Sequence, residues 1–404
     1  MAQAKERTLI NVNQDHRRTA RLEKLPPYLF GRLNDVKLKM RQEGVDIIDL
    51  GMGNPNIPTS KHIVEKLTEV VGDPKTHRYS ASRGIPNLRK AICRRYKDLY
   101  DVDLVWNKEA IALLGSKEGL SHLMLAILDP GDTVLAPNPT FPVHIFSVAI
   151  ASGNVIAIPL REQTGFVPAL EDIAREIWPK PKALVLSFPH NPTTACVDLE
   201  FWGEVVEFAR RSNILIVHDF AYHQLGFDGY EPPSVMQVPG AKEIAVEITT
   251  MSKVYSMAGW RVGFMVGKQE IIEDLYTIKG YFDYGIFTPV QVAAINALDG
   301  PQDVVKETVE IYRKRRDTVV DGLAKIGWQV PRPKATMYVW CPIPPQYRDM
   351  GSLEFSLKLL RECGVVVSPG VGFGEYGEGY IRIALVENEQ RIQQAIRNIR
   401  KALF

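Results

Sequence analysis

The sequence contains little cysteine, almost no net charge and no long hydrophobic run. Its 4 cysteines among 404 residues form no CxxC pair and have no histidines at ligand spacing, so neither a disulfide framework nor a metal site is indicated. Lysine and arginine total 49 against 47 acidic residues, and the net charge of +2 is too small for the basic field that nucleic acids or anionic membranes require. No apolar run approaches the ~18 residues of a membrane helix. Small molecules are therefore the expected partners.

The N-terminal segment, residues 1–24, is polar and lacks the apolar stretch of a secretory signal. It also mixes acidic residues among its basic ones, which transit peptides avoid. We therefore expect a cytoplasmic protein with an N-terminal arm that ends near Pro26.

Short β-branched runs alternate with segments of helical period between Asp46 and Val266. Several runs are apolar throughout, as strands covered on both faces must be. We predict strands at Ile111–Leu114, Thr133–Ala136, Val155–Ile158, Ala183–Phe188, Ile214–His218, Val246–Thr250 and Val262–Val266. This alternation predicts an α/β fold with a mainly parallel seven-stranded sheet flanked by helices.

The pattern changes after Pro289, where a long charged helix is predicted at Asp303–Lys325. Strands are then expected at Tyr338–Trp340, Val365–Val367 and Tyr380–Ile383, which is typical of a smaller α+β domain. We predict three parts of the chain: an arm with a first helix at Asn34–Gln42 (residues 1–45), a large domain (46–290) and a small C-terminal domain (291–404). In such sheets ligands collect at the carboxyl ends of the strands, so functional residues are expected just after each strand.

Lys253 follows the apolar strand that ends at Thr250. Apolar neighbours remove hydration from a charged amine, which lowers its pKa and leaves a neutral amine that can form a Schiff base with a carbonyl. The hydroxyls of Thr250 and Ser252 and the guanidinium of Arg261 are donors that a dianionic phosphate needs. Taken alone, a lysine at a strand end is more often a solvated side chain.

Asp219 closes another apolar strand, and Tyr222 follows three residues later. A buried carboxylate costs several kcal/mol unless it is paired, so Asp219 needs a cation. The protonated ring nitrogen of pyridoxal 5'-phosphate is such a cation, and Tyr222 can donate to the phenolate oxygen of that ring. The alternative is that Asp219 caps a following helix.

A possible phosphate cradle lies at Gly115-Ser116-Lys117, between a strand and an amphipathic helix. Free N–H groups at a helix start carry partial positive charge, and Ser116 and Lys117 add side-chain donors. Glycine and serine at this position are also common as a simple helix cap.

Two proline-rich loops follow strands at Pro137–Pro142 and Pro189–Thr193. The first would hold the ring of Phe141 flat against a planar heterocycle, and the second presents the amide of Asn191. Either loop could instead be a rigid turn without a ligand.

In their order and spacing these motifs resemble those of the fold-type I, class I and II pyridoxal-phosphate aminotransferases, from about Leu25 to the C-terminus. The resemblance rests on Gly53-Asn54-Pro55, Gly115-Ser116-Lys117, Asn191-Pro192, Asp219 to Tyr222, and Ser252-Lys253 with Arg261. It implies a pyridoxal-phosphate transferase fold and transamination between an amino acid and a 2-oxo acid.

The resemblance also implies a role for each residue. Lys253 would form the Schiff base and act as the general base, Asp219 would pair with the ring nitrogen, and Tyr222 and Asn191 would donate to the ring oxygen. Phe141 would stack on the ring. The phosphate would be bound by Ser116, Lys117, Thr250, Ser252 and Arg261.

Tyr79 matches a tyrosine that in this family reaches the phosphate of the neighbouring subunit, which implies a homodimer with shared sites. Arg382, in Gly379–Ile383, matches the arginine that binds the substrate α-carboxylate, assisted by Gly53 and Asn191.

The substrate is less closely indicated. Residues 281–289 lack the arginine that binds the distal carboxylate in aspartate-specialised relatives, and Lys117 is an alternative ligand for such a carboxylate. Longer stretches look like bacterial glutamate-pyruvate (alanine) aminotransferases. The segment from Tyr28 to Phe30 is similar to LL-diaminopimelate aminotransferases and implies that Tyr28 contacts substrate. We predict alanine and 2-oxoglutarate as substrates, with LL-diaminopimelate, a broad amino-acid range or a C–S β-lyase as alternatives.

One motif points elsewhere. Residues 372–377 fit GxGxxG after a strand, as a dinucleotide-binding loop would. Because the next predicted element is a strand, Tyr380–Ile383, rather than a helix, we do not expect NAD binding.

Overall fold

The computed structural model describes residues 19–25, 29–170 and 180–403. The strands are β1 (Ile48–Asp49), β2 (Ala110–Leu113), β3 (Thr133–Asn138), β4 (Asn154–Pro159), β5 (Ala183–Leu186), β6 (Leu215–Asp219), β7 (Ala245–Thr250), β8 (Gly263–Gly267), β9 (Tyr338–Pro342), β10 (Val365–Val366), β11 (Ser368–Pro369) and β12 (Tyr380–Ala384). The helices are α1 (Ala20–Glu23), α2 (Leu29–Gln42), α3 (Lys61–Val71), α4 (Pro86–Tyr100), α5 (Ser116–Ile127), α6 (Val143–Ile150), α7 (Leu199–Ser212), α8 (Gln269–Phe282), α9 (Thr288–Asp299), α10 (Asp303–Lys325), α11 (Gly351–Cys363) and α12 (Glu389–Leu403).

A seven-stranded sheet forms the centre of the molecule, in the order β2-β8-β7-β6-β5-β3-β4. Every pairing in it is parallel except those of β8, which runs antiparallel to both β2 and β7. All residues of β2, β3, β5, β7 and β8 are buried, whereas the edge strand β4 is partly exposed. Burial on both faces explains the continuous apolar runs. The predicted α/β fold with a mainly parallel seven-stranded sheet is confirmed.

The C-terminal part contains a three-stranded antiparallel sheet, in the order β11-β12-β9. The short strand β1 pairs with β10, joining Ile48 to Val365, so the segment before the large sheet crosses to the C-terminal part. Helix α2 packs there as well, where Leu33 lies in a buried cluster with Leu357 and Leu360. The division of the chain at residues 45 and 290 stays a prediction.

The strand predictions differ from the observed bounds by one or two residues. Helix α10 matches its predicted bounds, whereas α2 begins at Leu29, five residues before the predicted Asn34. The GxGxxG segment forms two short 3-10 turns and leads into the strand β12, as predicted, and not into a helix. Within the described ranges, no helix is both long enough and apolar enough to cross a membrane.

A buried carboxylate on the large sheet connects β7 to α4, to β6 and to residues 234–235. Glu247 on β7 is fully buried, and its Oε1 accepts hydrogen bonds from the hydroxyls of Tyr96 and Ser234, each at 2.7 Å. Its Oε2 lies 2.8 Å from His218 Nδ1 and accepts from the Val235 N–H at 3.0 Å. This set of partners offsets the cost of removing the carboxylate from water.

We predict that Glu247→Ala lowers the free energy of unfolding by roughly 3–5 kcal/mol, because it leaves several buried polar groups without their acceptor. Urea denaturation measures the change. The control is Glu307→Ala, which removes an exposed carboxylate from α10 and should change stability by no more than about 0.5 kcal/mol. Equal effects of the two substitutions would contradict a structural role for the buried carboxylate.

Candidate active site

A cavity of about 440 Å³ lies at the carboxyl ends of the central strands, where the large sheet meets the C-terminal part. Most of the predicted site residues share it. Its walls include Gly53, Ser116, Lys117, Phe141, Asn191, Asp219, Tyr222, Thr250, Ser252, Lys253, Arg261 and Arg382. Parallel strands bring these residues to one edge although they are separated in sequence.

Two predicted site residues lie elsewhere or cannot be placed. Tyr79 is 87% exposed, and its ring packs at a tilt against Tyr284 with centroids 4.7 Å apart; it does not line the cavity of its own chain. Tyr28 lies outside the described residues.

One end of the cavity is built to bind an anion. Helix α5 begins at Ser116 with its free N–H groups directed out of the helix start, and Gly115 precedes it with φ 91°. The guanidinium of Arg261 lies against Gly115 so closely that a Cβ there would overlap its Nη2. Nearby, the Thr250 hydroxyl donates to Ser252 Oγ at 2.8 Å. Helix start, guanidinium and hydroxyls together form the donor set that a phosphate requires.

Lys253 lies between this anion site and the C-terminal part. Its Nζ donates to the carbonyl of Gly53 at 2.9 Å. Burial lowers the pKa of the Lys253 amine below its usual range, and the positive charges of Arg382 and Arg261 lower it further, whereas Tyr338 opposes the shift. This is the direction that the sequence predicts, and it makes a neutral amine more readily available here than on an exposed lysine.

Asp219 is buried at the end of β6 and is held by a histidine that the sequence reasoning missed. His144 Nε2 lies 2.9 Å from Asp219 Oδ2, and His144 Nδ1 lies 2.7 Å from the Thr140 hydroxyl. Among the described residues, the other oxygen, Oδ1, has no hydrogen-bond partner. The alternative that Asp219 caps a helix is wrong, because residues 221–224 form turns. A buried carboxylate with one free oxygen facing a cavity is a site for a cationic group.

Arg382 forms the opposite wall. Its Nη1 donates to Asn191 Oδ1 at 2.7 Å, and its Nη2 donates to the Gly51 carbonyl at 3.0 Å and to Ser368 Oγ at 3.3 Å. The guanidinium lies 4.0 Å from the centre of the Tyr338 ring. This buried cation is fixed in position before any ligand binds, which suits it to orient a carboxylate.

The hydroxyl of Tyr222 donates to that of Tyr338 at 3.3 Å, which adds a second residue that sequence reasoning missed. Burial raises the pKa of Tyr222. Burial also opposes ionisation of Tyr338, but the nearby positive charges of Arg382 and Lys253 outweigh it and lower the pKa of Tyr338. Gly53 is required beside this pair, because a Cβ there would overlap the Tyr338 hydroxyl.

One group of residues outside the cavity has metal-ligand spacing. Ligand atoms of Glu118, His122 and Asp283 lie within 4.8 Å of one another. The ammonium of Lys279 is placed among them, 3.2 Å from Glu118 and 2.8 Å from Asp283. A lysine thus supplies the positive charge in this group, and we assign no metal to it.

The cavity residues fit pyridoxal 5'-phosphate. The anion site matches its phosphate, the free Asp219 Oδ1 matches a protonated ring nitrogen, and the Lys253 amine matches its aldehyde. Phe141 lines the same cavity, 6.0 Å from the His144 ring, where it can cover a planar ring.

We predict that Gly115→Ala weakens binding of pyridoxal phosphate by at least about tenfold, since the new methyl group displaces Arg261 and strains a backbone conformation that only glycine adopts readily. Titration of the apoprotein followed by cofactor absorbance measures the affinity. Gly203→Ala is the control, because a Cβ at Gly203 on α7 meets open space. If both variants bind the cofactor as the parent does, the phosphate is not bound here.

Comparison with known proteins places the chain in a family. The model of the aminotransferase class I and II family matches residues 45–399. The chain is 55% identical to glutamate-pyruvate aminotransferase AlaC of Escherichia coli strain K12, over 96% of this chain and 94% of the relative. It is 43% identical to LL-diaminopimelate aminotransferase of Moorella thermoacetica, over 95% and 97%.

A solved structure supports the same family. Substrate-bound BacF from Bacillus subtilis superposes with a TM-score of 0.92 at 35% identity, covering 96% of this chain and 98% of that one. The family match, the sequence identity to known aminotransferases and the shared fold all agree with a cavity that is suited to pyridoxal phosphate. The chain therefore belongs to the class I and II aminotransferases and is a pyridoxal-phosphate-dependent transaminase.

Proposed function

We propose that this enzyme transfers the amino group of L-alanine to 2-oxoglutarate, giving pyruvate and L-glutamate. The observation that carries the transamination chemistry is the placement of a carboxylate clamp, Arg382 with Asn191, on the same cavity as the Lys253 amine. The 55% identity to a glutamate-pyruvate aminotransferase supports this substrate pair.

The clamp decides which bond of the substrate reacts. Arg382 binds the α-carboxylate through its guanidinium, and the Asn191 amide, whose oxygen is already bound, keeps its NH₂ group for a second acceptor. Holding the carboxylate fixes rotation about the bond to Cα, so that the Cα–H bond faces Lys253. Positioning of this kind accounts for several kcal/mol of rate acceleration in well-oriented reactions.

Lys253 moves the proton. Because burial lowers its pKa, the amine is available as a base that takes the proton from Cα and would return it to the carbon on the other side of the amino nitrogen, a 1,3 shift. When bound, pyridoxal phosphate supplies an aldehyde for the amino group and an aromatic ring that accepts the electrons released at Cα. Asp219, held on one oxygen by His144, keeps a proton on the ring nitrogen with the other oxygen.

LL-diaminopimelate is the second candidate substrate. Relatives that bear this activity in their names are 41–43% identical to the chain, against 55% for the glutamate-pyruvate enzyme. The difference favours alanine, and both assignments use the same clamp and the same base.

We also propose that two copies of the chain associate. Large aromatic side chains are exposed on one part of the surface: Tyr79, Tyr281, Phe282, Tyr284 and Phe287. Monomeric proteins rarely expose such a group, and covering it with a second copy would carry Tyr79 to the neighbouring phosphate site. The cytoplasmic location stays a prediction.

We expect the purified holoenzyme to convert alanine to pyruvate over many turnovers only when 2-oxoglutarate is present, with glutamate formed in equal amount. A panel of single donors, followed by the absorbance change of the cofactor and by product analysis, measures kcat/KM for each. A higher value for LL-diaminopimelate than for alanine would replace the proposed substrate. Thiol, pyruvate and ammonia formed continuously from a cysteine S-conjugate, without an acceptor, would instead identify a C–S β-lyase.

Arg382→Lys should lower kcat/KM about 10- to 100-fold for both alanine and 2-oxoglutarate, because a lysine cannot reproduce the forked hydrogen bonds of the guanidinium. Steady-state kinetics measures the loss, and cofactor affinity should be nearly unchanged. Arg361→Lys, at an exposed position of α11, is the matched control. A loss confined to one of the two substrates would show that Arg382 does not bind the α-carboxylate.

A further inference from the structure

The cavity wall beside the carboxylate clamp contains an ion pair with no role in the chemistry described so far. Lys37, on α2, has its Nζ 2.9 Å from Asp49 Oδ2, on β1. Both side chains are largely buried, with 13% and 23% of their surface exposed, and both line the cavity. This pair is therefore within reach of a ligand and only partly screened by solvent.

The ion pair is connected to the clamp through the backbone. Asp49 Oδ1 accepts a hydrogen bond from the Gly51 N–H at 3.1 Å, and the Gly51 carbonyl accepts from Arg382 at 3.0 Å. Asp49 and Gly51 thus connect Lys37 to Arg382. Lys37 therefore lies on the side of the cavity where the substrate is held.

The two substrate pairs differ at the end of the molecule away from the α-carboxylate. Glutamate and 2-oxoglutarate carry a second carboxylate, whereas alanine and pyruvate carry a methyl group. A carboxylate that enters a cavity of this kind requires a cation, because burying it unpaired costs several kcal/mol.

Among the described residues that line the cavity, five are cationic: Lys37, Lys117, Lys253, Arg261 and Arg382. Lys253 is the base and Arg382 holds the α-carboxylate. Arg261 contacts Gly115 at the anion site, at the other end of the cavity. Lys117 is an exposed residue in the first turn of α5, the helix that begins at that site, and we assign it there, an assignment that Lys117→Gln tests. Lys37 is the cation that is left on the substrate side.

We propose that Lys37 is a specificity-determining residue that binds the second carboxylate of glutamate and 2-oxoglutarate, and that Asp49 holds Lys37 while alanine or pyruvate occupies the site. This inference rests on the proposed function and names how one cavity accepts both substrates. The lysine exchanges one carboxylate partner for another, so it is paired in both complexes. Asp49 keeps its hydrogen bond from the Gly51 N–H throughout, and its side chain is 23% exposed, so water can solvate it when the lysine leaves.

The exchange predicts that replacing Lys37 and replacing Asp49 change KM for the dicarboxylate substrates in opposite directions. Lys37→Gln removes the ligand of the distal carboxylate. It should raise KM for glutamate and 2-oxoglutarate by on the order of tenfold, with little change for alanine and pyruvate. Asp49→Asn keeps an oxygen that accepts from Gly51 but releases the lysine. It should lower KM for the dicarboxylates by roughly threefold.

The experiment measures each half-reaction of the purified holoenzyme separately, with alanine, pyruvate, glutamate or 2-oxoglutarate as the single substrate and cofactor absorbance as the signal. Lys37→Arg should restore most of the glutamate affinity, because the charge is kept. Lys39→Gln, at an exposed position on the same helix, is the matched control and should behave as the parent. Lys117→Gln is assayed alongside at saturating cofactor.

The inference is overturned if Lys37→Gln and Asp49→Asn weaken all four substrates alike, which a purely structural ion pair would produce. It is also overturned if neither substitution changes the dicarboxylate reactions, or if Lys117→Gln alone shows the selective loss. Failure of the proposed function is a separate result, because the parent enzyme itself would then fail to react with alanine or with 2-oxoglutarate.

Discussion

The buried guanidinium of Arg382 is the interaction on which the site depends, because it joins segments that are remote in sequence. It contacts the Gly51 carbonyl near the N-terminus, Asn191 after β5 and Ser368 on β11, and its face covers the Tyr338 ring. A buried cation needs all of these partners, so the large sheet, the N-terminal segment and the C-terminal part must come together for it to be stable. The cavity is the space that this assembly leaves.

Electrostatics within the cavity follow from the same burial. The Lys253 amine loses hydration and has two cationic neighbours, whereas Asp219 keeps one oxygen on His144 and directs the other to the cavity. Positive groups thus surround the places that we propose for phosphate and carboxylate, and the carboxylate of Asp219 is placed where a ring cation is expected. Each charged side chain of the cavity is therefore placed to pair with an opposite charge on the cofactor or the substrate.

Much of this arrangement could be predicted from the sequence, because parallel strands are buried on both faces and read as apolar runs that end at polar residues. That rule located Lys253, Asp219 and Asn191 at one edge. His144 was missed because its partner is 75 residues away and its helix shows no pairing pattern. Lys37 was missed for a different reason. Its acidic partner is only 12 residues away but lies on β1, which is two residues long and pairs with a strand more than 300 residues later, so no strand is predicted there from the sequence.

The reversed direction of β8 has a consequence for how the enzyme can change. Because β7 and β8 are antiparallel and Thr250 is opposite Gly263, one loop leaves the sheet and returns to it at the same edge. That loop carries both the reactive amine and the guanidinium of the anion site. A longer or tilted loop would displace Lys253 and Arg261 together, and with them both ends of the cofactor site. Sequence changes that alter substrate choice are therefore better tolerated in segments outside the β7–β8 hairpin, such as α2.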